Sequence, residues 1–181
     1  LTYSYNGSSG LVSNGTTISS VEVAAIFSGS GDDQFIISGA MRTPEGASSV
    51  ILYGGAGVDS LDLNLANGVV GTDNIVIHEE GSSFSGGTTS GVSFSDFEIA
   101  SFTGDAGDTA RLSLSTFTSD VHLTVQPDGT LTSNIGVTLF GYGAFRIDLG
   151  DGNDTVLGGS RRDVIQGAGG DDVINGGGGG D

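Results

Sequence analysis

Four aspartates stand nine residues apart near the C-terminal end of this chain: Asp154, Asp163, Asp172 and Asp181. The first three each follow a glycine-rich lead and precede an apolar residue two positions on: Val156, Ile165 and Ile174. A repeat this short leaves few folds open, because one unit cannot bury a face alone and must stack on its neighbours. Nine residues accommodate a glycine-rich turn and a short strand. Two such units close one flattened coil, so turns eighteen residues apart share an edge. Asp154 is then expected above Asp172, and Asp163 above Asp181.

Stacking creates an electrostatic problem. Neighbouring strands lie about 4.8 Å apart, and two carboxylates that close repel by roughly 3 kcal/mol at an effective dielectric near 20. The whole chain compounds this, with 22 acidic against 5 basic residues and a formal net charge of −17. A hard divalent cation reverses the sign. Calcium takes about six to eight oxygen ligands and accepts carboxylates and backbone carbonyls alike. Glycines such as Gly150, Gly152 and Gly170 let the turn carbonyls point inward around an ion. The spacing therefore assigns Ca2+ to Asp154, Asp172, Asp163 and Asp181 with those three glycines, and couples ion binding to folding. The bland alternative is an Asx-turn, in which each Asp caps only its own backbone. The same charge sets the chain against nucleic acid and anionic membranes. No stretch is apolar for long enough to span a bilayer. Without cysteine there is neither disulfide nor thiolate metal site.

The repeat phrase recurs upstream as Gly29-Ser30-Gly31-Asp32-Asp33-Gln34-Phe35 and as Gly54-Gly55-Ala56-Gly57-Val58-Asp59-Ser60-Leu61. A worn copy is Gly104-Asp105-Ala106-Gly107-Asp108-Thr109-Ala110, so Asp33, Asp59 and Asp108 join the candidate ligands. A longer repeat lies behind these copies. Three expected hairpin turns, Asn6-Gly7, Glu80-Gly81 and Asp128-Gly129, are each followed by a strand and then by a repeat aspartate. The distances from turn glycine to aspartate are 26, 27 and 25 residues (33−7, 108−81 and 154−129). Val21-Glu22-Val23, Phe97-Glu98-Ile99 and Phe145-Arg146-Ile147 hold equivalent places. Helical periodicity is almost absent. Short β-branched or aromatic runs bordered by Gly, Asn and Asp predict an all-β chain, a right-handed parallel β-roll or β-solenoid with hairpin elaborations upstream. Residues 1–148 read as a degenerate long-repeat region, and residues 149–181 as tandem nonapeptides that stop inside a repeat, as expected of a piece of a longer array. One arrangement sets Asp33, Asp59, Asp108, Asp154 and Asp172 along a single edge of one solenoid. The competing arrangement hangs the hairpins as side branches on a less regular β-sandwich.

The nonapeptides, Gly150-Asp151-Gly152-Asn153-Asp154-Thr155-Val156-Leu157 above all, resemble the RTX (repeats-in-toxin) family of hemolysin-type calcium-binding repeats. The unit from Gly29 to Asn64 is similar to repeats of very large bacterial surface proteins. The resemblance covers residues 149–181 continuously, with isolated matches at 28–36 and 54–62 and a weak one at 103–111. It implies a parallel β-roll, calcium held by Asp carboxylates and turn carbonyls, and type I secretion. Two departures stand out. Arg161 and Arg162 hold the fourth and fifth positions of their unit, where Gly and a small polar residue are usual, and Ala168 replaces the second Gly of its unit.

No enzyme is expected. His78 and His122 are isolated, no Ser sits in a Gly-x-Ser-x-Gly elbow, no Lys lies in a glycine-rich run, and Tyr142 and Arg146 read as sheet residues. Glu22, Glu79, Glu80 and Glu98 read as solvated charges. The functional expectation is a calcium-binding structural module of a large secreted or cell-surface bacterial protein, such as an adhesin. It would fold on binding calcium outside the cell, with calcium ions and neighbouring repeats of the same polypeptide as partners. The alternative is a C-terminal folding and secretion module of a secreted hydrolase or epimerase whose catalytic domain lies elsewhere. A third reading, carbohydrate or ice binding by a flat sheet face, lacks the exposed aromatics or the regular Thr ladder it would need.

Overall fold

Short apolar runs punctuated by Gly, Asn and Asp fold as strands, as their composition requires. The computed structural model describes residues 2–6, 10–13, 16–18, 23–38, 49–66, 71–80, 83–88 and 92–181, with side chains described over 25–37, 51–66, 71–80 and 92–181. Among these residues there is no helix, and two sheets of eleven and eight strands account for every strand.

The chain opens in the first, larger sheet with an antiparallel meander of β1 (Thr2–Asn6), β2 (Gly10–Ser13) and β3 (Thr16–Ile18). It then alternates: β4 (Val23–Phe27) in the second sheet, β5 (Gln34–Ser38) in the first, β6 (Ser49–Tyr53) in the second, β7 (Ser60–Asn64) in the first. A second meander of β8 (Thr72–Glu80), β9 (Ser83–Thr88) and β10 (Val92–Phe97) lies wholly in the second sheet. β11 (Ile99–Thr103) returns to the first sheet and β12 (Thr109–Ser113) to the second. The third meander, β13 (His122–Val125), β14 (Leu131–Ser133) and β15 (Val137–Phe140), belongs to the first sheet. Alternation then resumes through β16 (Ala144–Asp148), β17 (Thr155–Leu157), β18 (Val164–Gln166) and β19 (Val173–Asn175).

Between meanders, strands two sheet-visits apart pair in parallel, so Gln34 faces Ser60 and Thr155 faces Val173. The second register spans the eighteen residues that two nine-residue units supply. The architecture is nonetheless not a simple roll. Each meander threads its antiparallel strands into the sheet itself, which differs from both expected arrangements. The three expected hairpins are present, closed at Asn6 opposite Gly10, Glu80 opposite Ser83, and Val125 opposite Leu131. Gly7 and Gly81 lie outside the described residues. Gly129 has a φ of 87°, which its turn needs and which glycine adopts without penalty.

Burial alternates along each strand. Leu61 and Leu63, Ala100 and Phe102, and Ala110 and Leu112 point inward with no more than 1% exposure, and the buried residues of both sheets form one apolar cluster. The cluster thins towards the C-terminus. Val156 is fully buried, Ile165 is partly buried, and Ile174 is 43% exposed. Apolar burial therefore contributes little to holding residues 158–181 in place.

The alternation defines two turn edges. Chain passing from the second sheet to the first crosses edge one, and chain passing back crosses edge two. Asp33, Asp59, Asp154 and Asp172 precede β5, β7, β17 and β19 and so line edge one, whereas Asp108, Asp163 and Asp181 fall on edge two. This corrects the single-edge arrangement in one member. From Asp33 to Asp59 the chain makes two sheet visits, but from Asp59 to Asp108 it makes three, because the second meander counts as a single visit. An odd number of visits puts Asp108 on the opposite edge.

Candidate calcium sites on the turn edges

Asp33, Asp59, Asp108, Asp154, Asp163 and Asp172 are each presented at the same point, one residue before a strand. From there the carboxylate reaches across to the coil below. On edge one, Asp59 Oδ1 accepts the Asp33 N–H at 2.8 Å, and Asp172 Oδ1 accepts the Asp154 N–H at 3.0 Å. Asp154 Oδ1 in turn accepts the Val121 N–H at 2.8 Å. Edge two repeats the pattern: Asp108 Oδ1 accepts from Gly71 at 2.6 Å, Asp163 Oδ1 from Phe145 at 3.0 Å, and Asp181 Oδ1 from Asp163 at 2.8 Å. The structure thus brings together Asp33 with Asp59, Asp154 with Asp172 and Asp163 with Asp181, as the spacing requires. Asp108 meets no repeat aspartate of a neighbouring coil, because its rung is to Gly71.

These carboxylates are deep. Asp59 is fully buried, Asp154 is 1% exposed, and the Oδ2 atom of each has no hydrogen-bond partner. Burial pushes both carboxyls above the usual carboxylate range. For Asp59 the charges of Glu98, Asp33 and Asp32 add to burial, and for Asp154 those of Asp172 and Asp120, against partial relief from the backbone hydrogen bonds. A buried carboxylate oxygen without a donor is costly unless something positive meets it. The glycines keep the coils close enough for turn carbonyls to join in. A side chain at Gly150 would collide with the Phe117 carbonyl oxygen, and one at Gly170 with that of Gly152; Gly170 also holds a φ of 101°. Among the described residues no three carboxylate or imidazole side chains converge on one point. Any ion here must therefore be shared between paired carboxylates and turn carbonyls. A hard, oxygen-seeking cation fits that donor set.

Sequence reasoning missed several rungs. Glu98, read as a solvated charge, accepts the Asp59 N–H at 2.7 Å and takes the aspartate position on edge one, one residue before β11. Glu79, read the same way, accepts the Thr118 N–H at 2.9 Å, and hydrogen bonds from Ser119 and Thr118 hold its carboxyl below the usual range. Glu22 lies outside the described residues. A second, outer ladder runs beside the first: Asp32 accepts from Val58 at 2.9 Å, Asp120 from Asn153 at 2.8 Å, and Asn153 from Asp171 at 2.9 Å. Tyr142 is a buried turn residue rather than a sheet residue. Its ring fills the space over Gly104, and its hydroxyl is pushed far up by burial and by the charges of Asp73, Asp108 and Asp105. His78 and His122 are both exposed.

Ala168 shows the cost of departing from the repeat. It adopts a φ of 62°, the left-handed region that its unit normally fills with glycine. Ala168→Gly is expected to stabilise the protein by about 1 kcal/mol, measured by denaturant unfolding. No gain, or a loss, would mean that the turn is not held in this conformation.

A chain that alternates between two sheets, with acid-bearing glycine turns stacked on both edges, belongs to the class of all-β repeat proteins. The comparison with protein families names the repeat. Residues 46–70 and 148–181 match the RTX calcium-binding nonapeptide repeat, in four copies. Over those residues the chain is therefore similar to the RTX repeats, a family of calcium-binding structural repeats. The match includes the Asp59 turn and the run from Asp154 to Asp181, and leaves out the turns at Asp33 and Asp108. Comparison with curated proteins and with solved structures gave no match.

Proposed function

We propose that this chain is a calcium-stiffened structural module of a large secreted or cell-surface bacterial protein, a right-handed β-solenoid interrupted by meanders. Calcium is held on edge one by Asp33 with Asp59 and by Asp154 with Asp172, with turn carbonyls at Gly150, Gly152 and Gly170 completing the donor set. Asp163 and Asp181 offer a further pair on edge two, and Asp108 a carboxylate beside Asp73 and Asp105 without a stacked repeat partner. The observation that carries this reading is the buried Oδ2 of Asp59 and of Asp154, each without a hydrogen-bond donor inside a family-matched repeat.

The thin core of the last coils gives the ion a physical task. Residues 158–181 have little apolar burial to offset their chain entropy, so ion binding supplies the missing stabilisation and couples to folding. In a calcium-poor cytoplasm such a chain stays extended enough to be exported, and calcium outside the cell then drives it to fold.

The test is circular dichroism in chelator and again with millimolar calcium. β-structure is expected to increase on adding calcium, with hydrogen-exchange protection rising most over residues 149–181. Identical spectra in the two conditions would defeat the proposal.

A further inference from the structure

The repeat aspartates of the two edges differ in what they lack, although edge two also holds Asp73, buried beside Asp105 and Asp108, with an Oδ2 that has no hydrogen-bond partner. On edge one, Asp59 and Asp154 each keep a buried oxygen without a donor. On edge two, both oxygens of Asp163 are met by backbone N–H groups, Phe145 at 3.0 Å and Gly159 at 3.2 Å. Both oxygens of Asp108 are likewise met, by Gly71 at 2.6 Å and Asp105 at 3.4 Å. Stacked turns also crowd their carbonyl oxygens, and on edge two a side chain answers them. Arg161 leaves its own turn and reaches back over two others. Its Nη1 donates to the Gly143 carbonyl at 3.4 Å and to the Ala106 carbonyl at 3.3 Å.

The surroundings are built to admit that group. A side chain at Gly143 would collide with the Ala106 carbonyl and stand 3.3 Å from the guanidinium, so glycine there leaves the path clear. The turn that receives the guanidinium carries Asp105 and Asp108, which gives the positive charge an acidic setting. Arg161 also borders an open cleft of about 500 Å³ shared with Tyr142, Phe145 and Asp163, so removing it leaves room for a hydrated ion.

We infer that Arg161 is a tethered cation that takes the place of a bound ion among the edge-two turns at 104–108, 141–143 and 158–163. Guanidinium is permanently charged and presents several donors in a fixed plane, so it serves carbonyl oxygens as a metal would, but no chelator removes it. The gaps that Arg161 spans between these three turns therefore hold together without calcium, while the Asp163–Asp181 pair, on the other side of the 158–163 turn, and the Asp59 and Asp154 edge keep the calcium role proposed above. The contrast between edges rests on the calcium reading above; the role of Arg161 on its own edge does not.

The experiment compares wild type, Arg161→Gln and Arg161→Gly, by thermal melting in chelator and by calcium counting after equilibrium dialysis. In chelator both variants are expected to melt about 2–4 °C below wild type, the shift that roughly 1 kcal/mol produces in a domain of this size. With calcium present, Arg161→Gly should bind one ion more than wild type and recover its melting temperature, whereas Arg161→Gln keeps its bulk and gains none. Unchanged melting in chelator together with an unchanged ion count in Arg161→Gly would overturn the inference. A wild type that binds no calcium sinks the edge-one reading instead, and the chelator melts then decide the role of Arg161 by themselves.

Discussion

Replacing Phe97 with alanine is expected to destabilise the protein by about 3–5 kcal/mol, the usual cost of truncating a fully buried phenylalanine. Phe97 ends β10 and has no exposed surface. Its ring meets Phe35 of the first sheet edge-to-face at 5.3 Å and Phe94 of its own strand at 6.3 Å. Phe94 continues the cluster to Phe102 at 6.1 Å. The side chain thus joins the sheets where the second meander gives way to β11 through the single residue Glu98, and no neighbouring element can collapse easily into the space. A melting-temperature drop on the order of 10 °C follows. It should appear equally in chelator and in calcium, because nothing in this cluster is a cation ligand. Phe27→Ala is the control. Phe27 stacks on Tyr53 at 4.3 Å but is 68% exposed, so its loss should cost less than about 1 kcal/mol. Equal losses in the two variants would show that the aromatic cluster does not bind the sheets together.

How much of this was legible in the sequence depends on how local the determining physics is. The strands are legible because β-branched and aromatic runs between Gly and Asp have few other options, and the three hairpins because Asn-Gly, Glu-Gly and Asp-Gly between such runs are turn signals. The pairing of Asp154 with Asp172 is legible because a period of nine fixes a coil of eighteen. The edge on which Asp108 falls is not. That depends on the parity of sheet visits, which cannot be counted until β8, β9 and β10 are known to share one sheet. Glu98 was hidden for a related reason: no glycine lead announces it, since the chain passes from β10 to β11 in one residue, and only the register of β11 against β7 reveals the rung. Arg161 was visible as an oddity beside a cation site, but its partners lie 18 and 55 residues away in sequence, beyond the reach of any local pattern.

Asp154→Asn is expected to change stability in opposite directions with and without calcium. Asparagine keeps the shape and keeps an oxygen to accept the Val121 N–H, while removing the charge. With calcium present, a site shared by two carboxylates loses one of them, and affinity should fall by about 100-fold, or ~3 kcal/mol of ion-coupled stability. In chelator the sign reverses. Burial first, then the charges of Asp172 and Asp120, raise the folded-state pKa of Asp154 above its unfolded value, so its ionised form burdens the fold. A raised carboxyl contributes stability that is fully present below the unfolded pKa and lost as pH rises through the folded one. Metal-free wild type should therefore gain stability as pH falls from neutrality through that raised value, and Asp154→Asn should show less of this gain while standing above wild type at pH 7. In calcium the wild-type slope inverts, because protons compete with the ion for the same oxygen. Denaturant melts of both proteins, at two pH values with and without chelator, give the four comparisons needed. A variant that is weaker than wild type in chelator as well as in calcium would mean that Asp154 is held by its hydrogen bonds and not by a cation.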